Sequence, residues 1–220
     1  MALSVAADVA GVACTQSIDS FLAAVDTFSE HDLLGSSRCH GWTRLDVVVH
    51  VLAGWQEMLG GLVSPVDTPP TVDAASYWPA FREQYADDDP LLALMTQRRR
   101  TATYARPAAA TAQLHDVGES LRRGVESFAH PRCLWDGHVF TAGDYLAVWA
   151  VENVVHQLDL ISNAPASASG LSLSRRTIEA LVGQPLPDSW SDETATLIGT
   201  GRQPAPDGLG AWSSLLPALG

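Results

Sequence analysis

The stretch TAGDYLAVWAVENVVHQLD, residues 141–159, decides how this chain folds. Tyr145, Val148, Trp149, Glu152, Val155, His156 and Asp159 recur at spacings of three and four, the period of one helix face. Thr141 with Asp144 three residues later has the form of a capping box, so the helix has a written start and is expected to reach Ile161. Most of that face is large and apolar and must be the core stripe. Glu152 and His156 nevertheless stand in its middle, four apart and so stacked on adjacent turns. An unpaired carboxylate in such a place costs several kcal/mol, so both groups need partners.

A second stretch raises the same question. Val47 to Trp55 reads VVVHVLAGW and is apolar almost all round, which marks a buried helix with His50 inside it. Thr43 and Asp46 form its capping box, Trp42 can pack on Val47 as a hydrophobic staple, and the helix is expected to run to about Gly60. Gly54 costs about 1 kcal/mol in a helix interior relative to alanine and leaves space one turn from the imidazole. A single histidine on an apolar helix is most simply a hydrogen-bonded core residue, and a Glu/His pair can be a buried structural pair. Together, two histidines and one carboxylate on two buried helices are three metal donors with a coordination position left open, the pattern of a catalytic site.

Outward from these two helices the chain keeps a helical period and never sustains period-two alternation. Ile18, Phe21, Leu22, Val25 and Phe28 predict a first helix over 15–34, ended by Gly35. Residues 77–85 and 91–104 read as helical pieces broken at Asp87-Asp88-Asp89-Pro90, with the proline opening the second. A further amphipathic helix covers 109–128, with Arg122 and Arg123 solvated, and a loop over 130–140 leads to Thr141. Residues 162–170 have the composition of a linker, and 175–182, 193–198 and 209–216 read as short helices. The expected fold is all-α, divided into a helical bundle over 1–161 and a linker with a short C-terminal extension over 162–220.

Composition narrows the partners. Of 220 residues 46% are hydrophobic and 17% charged, which suits one packed core. The formal charge of -12 repels phosphate backbones and anionic lipid surfaces, so neither nucleic acid nor membrane is an expected partner. All 13 basic residues are arginine, a bias expected of a GC-rich genome. Cys14, Cys39 and Cys133 are odd in number and have no CxxC spacing, which excludes a disulfide framework and a cysteine zinc motif and fits a reducing cytoplasm. Gly11 to Cys14 has a superficial lipoprotein look, but no basic residue precedes it and Asp8 interrupts the apolar run, so it reads as a lead-in to the first helix. No apolar run approaches the roughly 18 residues of a membrane span.

The run GWTRLDVVVHV over 41–51, followed by a late helix carrying Glu152, His156 and Asp159 as E-x-x-x-H-x-x-D, resembles the mycothiol-dependent maleylpyruvate isomerase family of the DinB-like metalloenzyme superfamily. The resemblance covers residues 15–161. It implies a DinB-like four-helix bundle, with His50, Glu152 and His156 as ligands of a divalent metal, usually zinc, and Asp159 orienting a ligand or helix terminus from behind. Mycothiol is the implied co-substrate, a small electrophile the implied substrate, and the activity a thiol S-transfer or a thiol-assisted isomerisation. A homodimer is the assembly considered. Family members carry an arginine where this chain has Trp149, which implies a more aromatic pocket here. On the residues alone, two alternatives stay open: another enzyme with a two-histidine, one-carboxylate metal, either a hydrolase or an Fe(II) oxygenase, and a non-enzymatic bundle that binds a small molecule. Cys39 reads as an inert cysteine, His138 as a loop residue, and Arg98 to Arg100 as a solvated face.

Overall fold

The computed structural model describes residues 1–206, 212 and 214–219. Among the described residues the chain is built from nine helices and one two-stranded ribbon: α1 Ala7–Val25, α2 Glu30–Leu33, α3 Arg44–Leu62, α4 Tyr77–Gln84, α5 Pro90–Thr101, α6 Pro107–Glu126, β1 Arg132–Trp135, β2 His138–Thr141, α7 Ala142–Asp159, α8 Ala168–Val182 and α9 Asp192–Gly199. The four long helices α1, α3, α6 and α7 form the core bundle, in which α1 and α3 each pack against both α6 and α7. The all-α expectation holds. None of the described helices is long and apolar enough to cross a membrane.

The bundle's register is fixed by polar atoms as well as by packing. Trp55 Nε1 on α3 donates to Asn153 Oδ1 on α7 at 2.8 Å, and Asn153 Nδ2 donates to Ser17 Oγ on α1 at 3.0 Å. Every member of this chain is buried, so sliding any of the three helices would strand a donor in the core. Tyr145 Oη adds a bond to the Met58 carbonyl at 2.8 Å. Val48, Leu52, Trp55, Tyr145, Val148 and Val155 are buried as their spacing predicts, and Leu158 is partly buried.

Thr43 and Asp46 make the expected reciprocal capping box at the start of α3. Thr141 also caps α7, accepting from Asp144 N at 3.1 Å and donating its hydroxyl to Asp144 Oδ2 at 2.8 Å, but the Asp144 carboxylate does not return to the Thr141 backbone N–H. Its Oδ1 accepts from Val5 N at 2.9 Å and its Oδ2 from Ser4 Oγ at 3.2 Å, which ties the N-terminal segment to α7.

Three expectations are corrected. The first helix begins at Ala7, two turns before Thr15, so the supposed lead-in is helix. It ends at Val25, because Ser29 and Asp32 form a second capping box that starts α2. The loop before α7 is a hairpin, whose strands pair from Arg132↔Thr141 to Trp135↔His138 around Asp136-Gly137. Both turn residues have positive φ, 49° and 76°, the two-residue turn whose twist suits a hairpin. Beyond α7 the chain folds back, with α8 packing on α7 and α1 and α9 on α8. The short helix expected over 209–216 lies in part outside the described residues.

Candidate metal centre

Helices α3 and α7 set His50 and Glu152 each beside His156, whereas the three donors whose ligand atoms all lie within 4.8 Å of one another are, among the described residues, Cys39, His156 and Asp159. The rings of His50 and His156 meet edge to face with centroids 4.8 Å apart, and Trp42 also packs on His50 at 5.1 Å. His156 Nε2 lies 3.1 Å from Glu152 Oε2, one turn back on α7. His156 Nδ1 lies 3.0 Å from Asp159 Oδ2, and the Asp159 side chain is fully buried. His156 is thus clamped between two carboxylates, one on each ring nitrogen.

Asp159 has a partner of its own. Arg202, just past α9, donates Nε to Asp159 Oδ1 at 2.8 Å and Nη2 to Oδ2 at 2.9 Å, a two-pronged ion pair. This arginine was not anticipated from the sequence: it stands 43 residues from Asp159 in a Gly-Arg-Gln-Pro turn that carries no local signal. Cys39, read as inert, is also at the site, with sulfur, a His156 ring nitrogen and an Asp159 oxygen all within 4.8 Å of one another.

Electrostatics follow from these contacts. Burial, with His156 beside it, pushes the His50 imidazole down to about 4, so it stays neutral at physiological pH. It makes no hydrogen bond among the described residues, which leaves its lone pair available. Burial alone would also lower His156, but the bonds to Asp159, Cys39 and Glu152 outweigh it and hold the imidazolium well above the usual histidine range. Burial raises the Glu152 and Asp159 carboxyls, and hydrogen bonds from His156, joined at Asp159 by Arg202, bring both below their usual range.

The donor set fits a divalent cation. His156 presents one nitrogen to Glu152 while the other is held by a buried carboxylate, the arrangement that orients a metal-bound histidine. His50 is neutral and unpartnered, and Glu152 is ionised. A proton on His156 Nε2, shared with Glu152, satisfies the pair in the cation's absence.

A cavity of about 420 Å³ opens on this cluster, walled by Trp78, Phe81 and Tyr85, with Arg82, Glu152 and Arg202 supplying polar groups. A second, of about 390 Å³, is reached from His50 and is lined by Trp42, Asp88, Asp89, Thr96 and Arg100. Arg100 is therefore more than part of a solvated face. The space beside Gly54 is filled by the indole of Trp149, which a Cβ there would meet at 3.1 Å. Trp149 packs in turn on Trp135, tilted by 50° with centroids 4.9 Å apart, and lines neither cavity. His138 lies in the same aromatic cluster, 6.0 Å from Tyr77, with Nε2 buried and unpartnered.

Over residues 14–161 the chain matches the model of a protein family, described as the mycothiol maleylpyruvate isomerase N-terminal domain. Among solved structures, a histidine-to-alanine mutant of the mycothiol-dependent maleylpyruvate isomerase superposes with a TM-score of 0.54 at 12% sequence identity, covering 81% of this chain and 72% of that one. At that identity the likeness is one of fold. No curated protein matches the chain.

Proposed function

Because the chain belongs to the mycothiol maleylpyruvate isomerase N-terminal domain family, we propose that it is a mycothiol-dependent isomerase or S-transferase, with a divalent cation, zinc in the first instance, held by His50, Glu152 and His156. The observation that carries this reading is the contact of the His50 ring on α3 with the His156 ring on α7, with Glu152 against His156 and those two α7 residues lining a cavity.

A cation in that position keeps a coordinated thiol deprotonated and nucleophilic at neutral pH. The remaining work belongs to the chain. With His156 neutral, Glu152, Asp159 and Arg202 carry one net negative charge between them. A divalent cation leaves the cluster with one positive charge, which favours an anionic thiolate. Asp159, locked by Arg202, holds the His156 ring in orientation. Trp78, Phe81 and Tyr85 give the electrophile an apolar wall, and Arg82 and Arg202 favour a substrate that carries or develops negative charge.

Transfer and isomerisation share a first step. The thiolate sulfur forms a bond to an electrophilic carbon. In transfer a leaving group departs with its electron pair. In isomerisation the carbon belongs to an alkene conjugated with a carbonyl, the electron pair moves to the carbonyl oxygen, the former double bond rotates, and return of the pair expels the thiolate.

The test uses cobalt-loaded protein. Saturating mycothiol is expected to add a sulfur-to-cobalt charge-transfer band and to permit turnover of an electrophile, maleylpyruvate first. His50→Ala should abolish both, and a change at exposed Arg99 should leave both intact. An unchanged spectrum, with turnover that needs no thiol, would favour the hydrolase or oxygenase alternative.

A further inference from the structure

Helix α5 is held to the bundle along one side. Of its 12 residues Gln97 alone is buried, and its Nε2 donates to the Asp46 carbonyl of α3 at 2.8 Å. Opposite Gln97, spacings of three and four put Leu91, Leu92, Met95 and Arg99 on a single face. That face stands in solvent: Leu91 is 64% exposed, Leu92 58% and Met95 39%. A lone exposed leucine is ordinary, but adjoining large apolar side chains on one helix make a surface that a partner can cover.

The charges at the two ends of α5 say which partner fits. Asp87, Asp88 and Asp89 precede the helix, and Arg98, Arg99 and Arg100 stand in its last turn. Asp89 is spent on the helix start, its Oδ1 accepting from Leu91 N at 2.9 Å. Arg98 Nη2 donates to the Gly41 carbonyl at 2.8 Å, and Arg100 lines the cavity at His50. Asp88 and Arg99 are exposed, and neither side chain has a hydrogen bond or ion pair among the described residues. An apolar stripe with a free carboxylate at one end and a free guanidinium at the other is complementary to a copy of itself turned end for end. In such an isologous pair every contact occurs twice. Setting Asp88 against Arg99 of a second copy also sets Leu92 against its Met95, so one register matches the charges and covers the apolar side chains. A parallel pairing would put carboxylate on carboxylate and guanidinium on guanidinium.

We infer that α5 is the two-fold contact of a weak homodimer, with Asp88 of each copy paired to Arg99 of the other and Leu91, Leu92 and Met95 buried between them. The face points away from α3, so the candidate metal centre lies within a single chain. One helix face falls short of the roughly 800 Å² per partner of a standard interface, which makes the complex transient. The formal charge of -12 sets the two copies against each other at long range. At ~0.15 M salt the screening length of about 8 Å removes most of that repulsion and leaves charges in direct contact to choose the register.

The experiment is sedimentation velocity of the full chain at ~0.15 M salt, from about 5 to about 500 µM. The wild type is expected to shift from monomer towards dimer as concentration rises. Asp88→Arg and Arg99→Asp should each stay monomeric, because either reversal puts two like-charged pairs in contact. Leu92→Ser should also weaken association. Mixed one to one, the two reversed proteins should associate again, since each then offers the other two pairs of opposite charge. A wild type that stays monomeric throughout overturns the inference and leaves the face to a different protein. Association that survives both reversals places the contact elsewhere and overturns it too. A mixture that stays monomeric overturns the antiparallel register.

Discussion

His156 is gripped at both ring nitrogens, and its two carboxylate partners do different work. On the proposed reading the cation would displace the proton that Glu152 shares with His156 Nε2, whereas Asp159 would only aim the ring. Asp159→Asn should therefore weaken metal affinity by about 10–100-fold without abolishing binding, as read by competition with a chelator. His50→Ala or Glu152→Ala should remove most of the metal under the same conditions. The metal-free protein has a signature of its own. The His156 value is raised in the folded state, so its stabilising contribution is fully present below the unfolded value near ~6.5 and lost as pH rises through the folded value. His156 thus carries a proton at neutral pH, and zinc uptake should release about one proton from it. Calorimetry in buffers of different ionisation enthalpy counts it, and an affinity that fails to rise with pH would contradict the assignment. The Glu152–His156 pairing was legible because polar residues on an apolar helix face need partners. Arg202 and Cys39 were not, because only the folded chain brings a distant turn and a loop to the end of α7.

The helices were legible where sequence writes both a period and a start. Thr43 with Asp46 fixed the beginning of α3 within a residue. Ser29 with Asp32 was as clear a signal, but the apolar spacing runs on through Phe28 and hid the break between α1 and α2. The hairpin escaped because four-residue strands are too short to establish alternation, although Asp136-Gly137 is a strong turn pair. Two substitutions test these local devices. Thr43→Ala should destabilise the fold by about 1 kcal/mol in urea denaturation, since it strands the Asp46 N–H at the helix start. Gly137→Ala should cost about 1–2 kcal/mol through the positive φ alone, with nothing within 4 Å of the added methyl. Unchanged midpoints in both would mean that neither device contributes.

At the scale of the whole molecule, the all-helical bundle followed from the helical period and its four-helix core from the family resemblance, while the role of residues 162–220 followed from neither. A Ser- and Ala-rich linker suggests a detached appendage, yet α8 covers α7 and α1, and the chain beyond α9 returns Arg202 to Asp159. A chain ending at residue 161 should lose at least as much metal affinity as Arg202→Gln and melt at lower temperature. Full affinity in the truncated chain would show the extension to be dispensable to the site. The central claim is that one cation is held between α3 and α7. Anomalous-difference density from crystals of the zinc-loaded protein, collected at the zinc edge, tests it most directly. The account predicts one peak per chain, at about 2.0–2.2 Å from one atom each of His50, Glu152 and His156. A peak bonded to Asp159 instead, or one remote from these three side chains, would contradict it.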